Sequence, residues 1–250
     1  MTRKLEGKIA LVTGGSTGIG LATAKLFVEE GAHVYITGRR KQELDRAILE
    51  IGGDAVAIQG STADLADLDK VYEQIKAERG RLDVLFANAG GGSLASLGSI
   101  TEEQYTSTFD SNVKGLIFTV QKALPLMPDG ASIILNASTT SVKGVAAFSV
   151  YAASKAAVRS FARSWTTDLK ARRIRVNAIS PGATETPGLL GLAANEEQKR
   201  AMLEQFAAEV PLGRVAQPIE IAQAVAFLGS NESSFISGIE LFVDGGAVQV

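Results

Sequence analysis

"LVTGGSTGIG", residues 11–20, is the stretch whose reading decides the fold. It leaves a short apolar run, Ile9 to Val12, and enters a helical pattern. Between the two, Gly14, Gly18 and Gly20 fall in the spacing G-x-x-x-G-x-G. Glycines at a strand-to-helix turn let the backbone bend sharply and approach a pyrophosphate. The helix that follows offers free N–H groups at Gly18, Ile19 and Gly20, and the positive end of its dipole. Ser16 and Thr17 add hydroxyl donors. A plain βα connection also tolerates such glycines, so the turn needs support from elsewhere in the chain. No Lys-Ser/Thr pair follows it, which disfavours a P-loop nucleotidase.

Beyond the turn, β-rich runs alternate with helical patterns. Strands are expected at 9–13, 34–37, 55–59, 84–87, 132–137, 175–179 and 240–243. Helices are expected at 18–30, 40–51, 65–79, 102–125, 151–171 and 218–228. This rhythm predicts an α/β fold: a Rossmann-type, doubly wound parallel sheet with helices on both faces. No linker or repeat divides residues 1–250, which read as a single domain. Residues 187–210 lack a strand and mix Leu, Met and Phe with charge. Their place just after a strand end suggests a helical substrate lid, with a surface hairpin as the plainer alternative.

Composition excludes several chemistries. The 250 residues are 46% hydrophobic and carry a net charge of −2, so nothing advertises a nucleic-acid partner. With no cysteine there is no disulfide, thiolate metal site or cysteine nucleophile. The single histidine, His33, precludes multi-histidine metal centres and reads as a solvent-facing residue at a strand entrance. Neither a secretory signal nor an 18-residue apolar run is evident, so a soluble, cytoplasmic protein is expected, with no membrane span.

The second strand bears on nucleotide choice. An acid at its end would bond a ribose 2′-hydroxyl. Here Gly38-Arg39-Arg40 stands there instead. Guanidinium groups bind a 2′-phosphate that a carboxylate would repel, which points to NADP(H). The alternative is a solvated basic helix start.

"YAASK", residues 151–155, places a phenol and an ammonium on one helix face. A nearby cation favours phenolate and draws the tyrosine pKa down from its usual value near 10. Ser138 closes the run "SIILNAS" at a strand's carboxyl end, where α/β sheets bind ligands. Ser138, Tyr151 and Lys155 together suggest a group that protonates an alkoxide as hydride arrives. Alone, Y-x-x-x-K is more often a surface helix pair.

With these residues in view, the chain resembles the short-chain dehydrogenase/reductases of about 250 residues. "TGGSTGIG" (13–20), "NAG" (88–90), "NVKG" (112–115), Ser138, "YAASK", "RVNAISPG" (175–182) and "FVDGG" (242–246) carry the resemblance. It implies a catalytic tetrad of Asn112, Ser138, Tyr151 and Lys155. Tyr151 would be the general acid/base, and Ser138 would orient the substrate oxygen. Lys155 would lower the tyrosine pKa and hold the nicotinamide ribose, and Asn112 would hold a relay water. Asn88 and Gly90 would flank the adenosine ribose. Pro181, Gly182 and Thr186 would meet the nicotinamide end. "ITGRR", "DVLFANAG" and "GIELFVDGGAVQV" are similar to broad-specificity bacterial NADP-dependent alcohol dehydrogenases and ketoreductases. That likeness implies small-molecule alcohol and ketone substrates, often bulky and apolar, and a homotetramer.

The chain departs from the family after the third strand. Ser61-Thr62 replaces the usual adenine-contacting aspartate, with Asp64 an uncertain substitute. The same fold also serves 3-oxoacyl-carrier-protein reductases, which want a basic docking patch. "KARRIR" (170–175) is a weak candidate for one. Sugar dehydrogenases want polar pockets, whereas Phe148, Leu94, Val145 and Leu189 are apolar. A non-catalytic nucleotide sensor would not need both Tyr151 and Lys155.

Overall fold

The computed structural model describes residues 3–249; Met1, Thr2 and Val250 lie outside them. The first elements are β1 (Ile9–Val12), α1 (Gly18–Glu29), β2 (His33–Gly38) and α2 (Lys41–Ile51). Then come β3 (Ala55–Gln59), α3 (Leu65–Arg79), β4 (Val84–Ala87), α4 (Glu102–Phe109) and α5 (Gly115–Ala123). After these follow β5 (Ser132–Asn136), α6 (Ser149–Asp168) and β6 (Arg175–Pro181). The last are α7 (Pro187–Leu190), α8 (Glu196–Glu209), α9 (Pro218–Gly229) and β7 (Glu240–Val243). All strands pair in parallel in the order β3-β2-β1-β4-β5-β6-β7.

β1 and β4 are buried along their whole length, as central strands of a two-faced sheet must be. Their side chains alternate between two cores. Leu11 and Leu85 face the layer of α3, α5 and α6. Ala10, Val12, Val84 and Phe86 face the layer of α1, α2 and α9. Local signals set the helix ends. Asp64 caps α3 by accepting from Ala66 N at 2.9 Å, and Gly80 ends it with a φ of 69°. Pro218 opens α9 behind a Gln217–Glu220 capping box.

Two expectations need correction. The expected helix over 102–125 is interrupted by a π-helical turn, Asp110–Lys114. The segment 187–210 holds two helices, α7 and α8, and none of α8 is buried. His33 does enter β2, but it is only 6% exposed. Its Nδ1 lies 2.5 Å from Asp54 Oδ1, Arg79 approaches at 3.0 Å, and Tyr35 meets the ring edge-on. Two charged partners and an aromatic neighbour make burial of that imidazole tolerable.

At the amino end of the sheet, Arg175 opens β6 at the carboxyl end of α9. It donates to Leu228 O at 3.0 Å, Ser230 O at 3.1 Å and Ser233 Oγ at 2.8 Å. A cation there suits the helix dipole and occupies carbonyls that the helix leaves free. Arg175→Met should therefore lower stability by about 2 kcal/mol in urea unfolding, the value of one or two lost charged hydrogen bonds.

Candidate active site

Thr13 sets the glycine turn. Its hydroxyl accepts from Asn88 N and Ala89 N, both at 3.0 Å, tying the end of β1 to the end of β4. Gly14 and Gly18 have φ of 65° and 55°, where a side chain would be strained. A Cβ on Gly20 would sit 2.2 Å from Gly14 O. Thr17 is the N-cap of α1, yet its side chain makes no capping bond and no acid lies in the first turn. The first N–H groups of α1 are thus left for an anion. They open onto a cleft of about 710 Å³ lined by Gly14, Ser16, Thr17, Gly18, Ile19 and Gly20.

The cleft continues past Gly38, Arg39 and Arg40 to Ser61, and on its other wall past Asn88, Gly90 and Thr186. Both arginines are exposed, and neither pairs with a carboxylate among the described residues. Arg40 is the N-cap of α2 and supplies no side-chain cap. Ser61 reaches the expected place, but its hydroxyl accepts from Ala63 N at 3.3 Å. Asp64 is committed to capping α3 and is no substitute for the missing aspartate. Nearby, Asp67 takes the Ser61 N–H at 3.0 Å, which holds its carboxyl below the usual range. A long crevice with free helix N–H groups at its centre and unpaired guanidinium groups at one end fits a phosphorylated dinucleotide.

Asn112, Ser138, Tyr151 and Lys155 do not themselves wall this cleft. Asn112 and Lys155 pack against Gly90, and Tyr151 against Gly92, both of which do. A Cβ on Gly90 would stand 2.7 Å from Asn112 Oδ1 and 3.6 Å from Lys155 Nζ. A Cβ on Gly92 would stand 2.6 Å from Tyr151 Cδ2. Phe148 stacks on the same phenol ring, with centroids 4.4 Å apart. The residue before it, Ala147, holds a φ of 59°, unusual for a residue with a Cβ, and its carbonyl accepts from Ala95 N at 2.8 Å.

A polar chain crosses the strand ends. Asn88 Nδ2 donates to Thr13 O at 2.9 Å, and its Oδ1 accepts from Asn136 Nδ2 at 2.9 Å. Asn136 O in turn accepts from Lys155 Nζ at 2.6 Å. Lys155 is 3% exposed, and Nζ lies 5.5 Å from the centre of the Tyr151 ring. Asn112 sits in the π-helical turn. It accepts from Gly91 N at 2.9 Å and donates to Gly91 O at 2.8 Å and Ser154 Oγ at 2.9 Å. One lone pair of Oδ1 remains for a water. Ser154, fully buried, donates its own hydroxyl hydrogen bond to Tyr151 O at 2.7 Å.

Burial sets the titration of the two groups. Burial pushes the Tyr151 phenol up to about 12, and the Ser138 hydroxyl beside it pulls the other way more weakly. Burial also brings the Lys155 ammonium down to about 8. At pH 7 the phenol therefore keeps its proton. Ser138 is the N-cap of a short 3-10 turn, Thr139–Ser141, and its Oγ accepts from Thr140 N at 3.2 Å.

Pro181 and Gly182, like the four residues above, do not line the cleft. Pro181 ends β6 in the interior, and a Cβ on Gly182 would meet Asp244 at 2.9 Å. Both support the cleft rather than line it. Thr186 does reach it, packing beside Gly18 and capping α7 through Leu189 N at 3.1 Å. The sequence reading missed Thr13, Gly92, Asn136 and Ser154. Ser154 had a signal, a serine in an otherwise alanine-rich helical stretch, where it lowers propensity. Asn136 had one as well: it stands two residues before Ser138 on the same strand end.

Comparisons with known proteins identify the family. The family model described as Enoyl-(Acyl carrier protein) reductase matches residues 14–248. Oxidoreductase asL5 of Sarocladium schorii is 48% identical, over 99% of this chain and 98% of that protein. The 3-oxoacyl-[acyl-carrier-protein] reductase FabG of Thermotoga maritima is 36% identical, over 98% of this chain and 99% of that protein. A solved short chain dehydrogenase/reductase family protein superposes with a TM-score of 0.88 at 39% identity, covering 99% of this chain and 100% of that one. The chain belongs to the short-chain dehydrogenase/reductase family of oxidoreductases, whose members use nicotinamide cofactors.

Proposed function

We propose that the protein is an NADP(H)-dependent alcohol dehydrogenase or carbonyl reductase that interconverts secondary alcohols with ketones or aldehydes. The observation that carries this reading is the half-buried Tyr151 phenol beside the Ser138 hydroxyl, with the Lys155 ammonium 5.5 Å from its ring centre. The nicotinamide supplies or takes up the hydride at the carbonyl carbon, and its oxidised form carries a positive charge.

The chain's own residues handle the oxygen. Ser138 donates a hydrogen bond to the carbonyl oxygen and fixes it beside the phenol. As negative charge builds on that oxygen, Tyr151 Oη gives up its proton and the alcohol leaves neutral. In the opposite direction the phenolate takes the alcohol proton. Lys155 favours that phenolate and reaches toward the nicotinamide ribose. Asn112 holds the Gly91 peptide and α6 in place, and its remaining lone pair seats a relay water. Gly14, Ser16, Thr17, Gly18, Ile19 and Gly20 cradle the pyrophosphate. Arg39 and Arg40 face the 2′-phosphate, beside a strand end that carries Gly38 where an acid would repel it. Ser61, Asn88 and Gly90 flank the adenosine, and Thr186 the carboxamide.

The mouth of the site supports a bulky apolar substrate. Leu94, Leu97, Val142 and Val145 are all exposed, on two loops joined by the Ala95–Ala147 hydrogen bond. Above them α7 and α8 act as the substrate lid, linked to the Val142–Val145 loop by the Lys143–Glu209 ion pair at 3.2 Å. The basic stretch 170–175 offers little to an acyl carrier. Arg172 and Arg175 spend their donors on backbone carbonyls, at the end of the sheet away from the cleft. A homotetramer and a cytoplasmic location complete the reading. No helix of the described residues is long and apolar enough to cross a membrane.

Turnover of aryl ketones, sugars and acyl thioesters with NADPH tests the substrate class, and aryl ketones should be consumed fastest. Tyr151→Phe should cut kcat by about 100-fold or more while NADPH still quenches protein fluorescence. Retention of a tenth of wild-type turnover would refute the assigned role. Arg39→Ala should weaken NADPH binding roughly 10- to 100-fold, one charge-assisted contact, and leave NADH binding unchanged.

The buried ammonium also makes stability depend on pH. Lys155 is brought from 10.5 to about 8, so between those values the unfolded chain binds a proton that the folded chain has released. Its contribution is complete above 10.5 and lost as pH falls through about 8. Urea unfolding should thus find Lys155→Met gaining on the wild type as pH drops from 10.5 to 8, with the difference flat below that window.

A further inference from the structure

Glu240 opens β7 at the edge of the sheet, and its side chain is only 12% exposed. Its Oε1 accepts from Ser141 Oγ at 2.6 Å and from Ser180 Oγ at 2.7 Å. Its Oε2 lies 3.7 Å from Arg159 Nε. That Nε is buried and makes no hydrogen bond, so Glu240 is its electrostatic partner among the described residues. A carboxylate this enclosed is tolerated only because all three neighbours answer it.

The three partners sit on three elements. Ser141 ends the 3-10 turn whose N-cap is Ser138, and Ser141 N donates to Ser138 O at 2.9 Å. Arg159 is on α6, one turn beyond Lys155 and two beyond Tyr151, on the same face. Ser180 belongs to β6. A single carboxylate therefore grips both the turn that presents the Ser138 hydroxyl and the helix that presents the phenol. Neither Ser138 nor Tyr151 touches Glu240 itself.

We propose that Glu240 is a positioning residue that sets the Ser138 hydroxyl against the Tyr151 phenol. This rests on the reading above, in which those two groups hold the substrate oxygen. Small errors at such a pair are costly: a displacement of about 1 Å can lower a rate by about 100-fold. A purely architectural Glu240 would only tie β7 to β6, and the two roles separate by which serine matters.

The test compares kcat for an aryl ketone at saturating NADPH in Glu240→Ala, Glu240→Gln, Ser141→Ala and Ser180→Ala. Thermal unfolding and NADPH affinity are measured alongside. Glu240→Ala should lose roughly tenfold in kcat with NADPH affinity unchanged. Glu240→Gln keeps an acceptor for both serines and should recover most of that loss. Ser141→Ala should lower kcat while Ser180→Ala does not, and this pair decides the matter even if Glu240→Ala fails to fold. In a Ser138→Ala background the Glu240→Ala loss should vanish, because the two act as one unit. Equal effects of the two serine variants, or a loss that persists without Ser138, would overturn the proposal and leave the parent reading intact. Full activity of Ser138→Ala would instead overturn both.

Discussion

Every functional feature of this chain depends on a reversal of direction at β1. From β1 the sheet grows one way through β2 and β3 and the other way through β4 to β7. Helices leaving neighbouring strands there go to opposite faces, and a crevice must open at their carboxyl ends. The floor of that crevice cannot be apolar, because the strands stop there and their last peptide groups need partners. The chain meets this demand with short polar side chains. Thr13 takes two N–H groups from beyond β4, and Asn88 returns two bonds to the glycine turn. The backbone that leads to the pyrophosphate site is thereby fixed before any ligand arrives.

The same polar chain runs on into the catalytic half. Asn136 joins Asn88 through its side chain and Lys155 through its carbonyl. The ammonium thus gains a partner at the bottom of the sheet's crevice, which offsets part of the cost of taking it out of water. Asn112 and Ser154 perform the parallel task on the other side of α6, joining the Gly90–Gly92 loop to the helix between Tyr151 and Lys155. The π-helical turn at Asp110–Lys114 places Asn112 for this work, as such turns often do at functional sites. Small residues across "YAASK" then have a reason. Ser154 must fit under Asn112, and Gly92 must lie flat on the phenol.

The parts of this arrangement that were legible in the sequence are those with strong local signals. The parallel, doubly wound sheet followed from the βα rhythm, the glycine turn from its spacing, and α3 from the helical pattern at 65–79. The illegible parts depend on contacts distant in the chain. Nothing near Glu102 announces the π turn, because it is fixed by Gly91 and Ser154, 21 and 42 residues from Asn112. His33 read as solvent-facing because a polar residue at a strand entrance usually is. Its burial comes from Asp54 and Arg79, on elements that the tertiary fold brings beside it. Asp64 looked free to meet an adenine until helix capping claimed it. Glu240 carried no signal at all: it stands in a strand, among apolar residues, far from the residues it serves.

The phenol is the clearest case of an effect whose sign the sequence could not settle. Burial and the Ser138 hydroxyl act on Tyr151 in opposite directions, and sequence spacing reveals neither. Depth does not show in a linear pattern, yet here it decides the outcome and raises the pKa to about 12. The raised value suits the proposed reduction. A phenol that holds its proton at neutral pH is present as an acid when a carbonyl arrives, and it yields only when that oxygen has become an alkoxide, a far stronger base. Oxidation asks the reverse, a phenolate in a desolvated site, and the proposed reading assigns its stabilisation to Lys155, whose Nζ lies 5.5 Å from the ring centre. The charge of an oxidised nicotinamide has the right sign for that task. In the proposed reading, the direction of the reaction and the protonation of Tyr151 would be coupled through the redox state of the cofactor, with burial favouring the acid form.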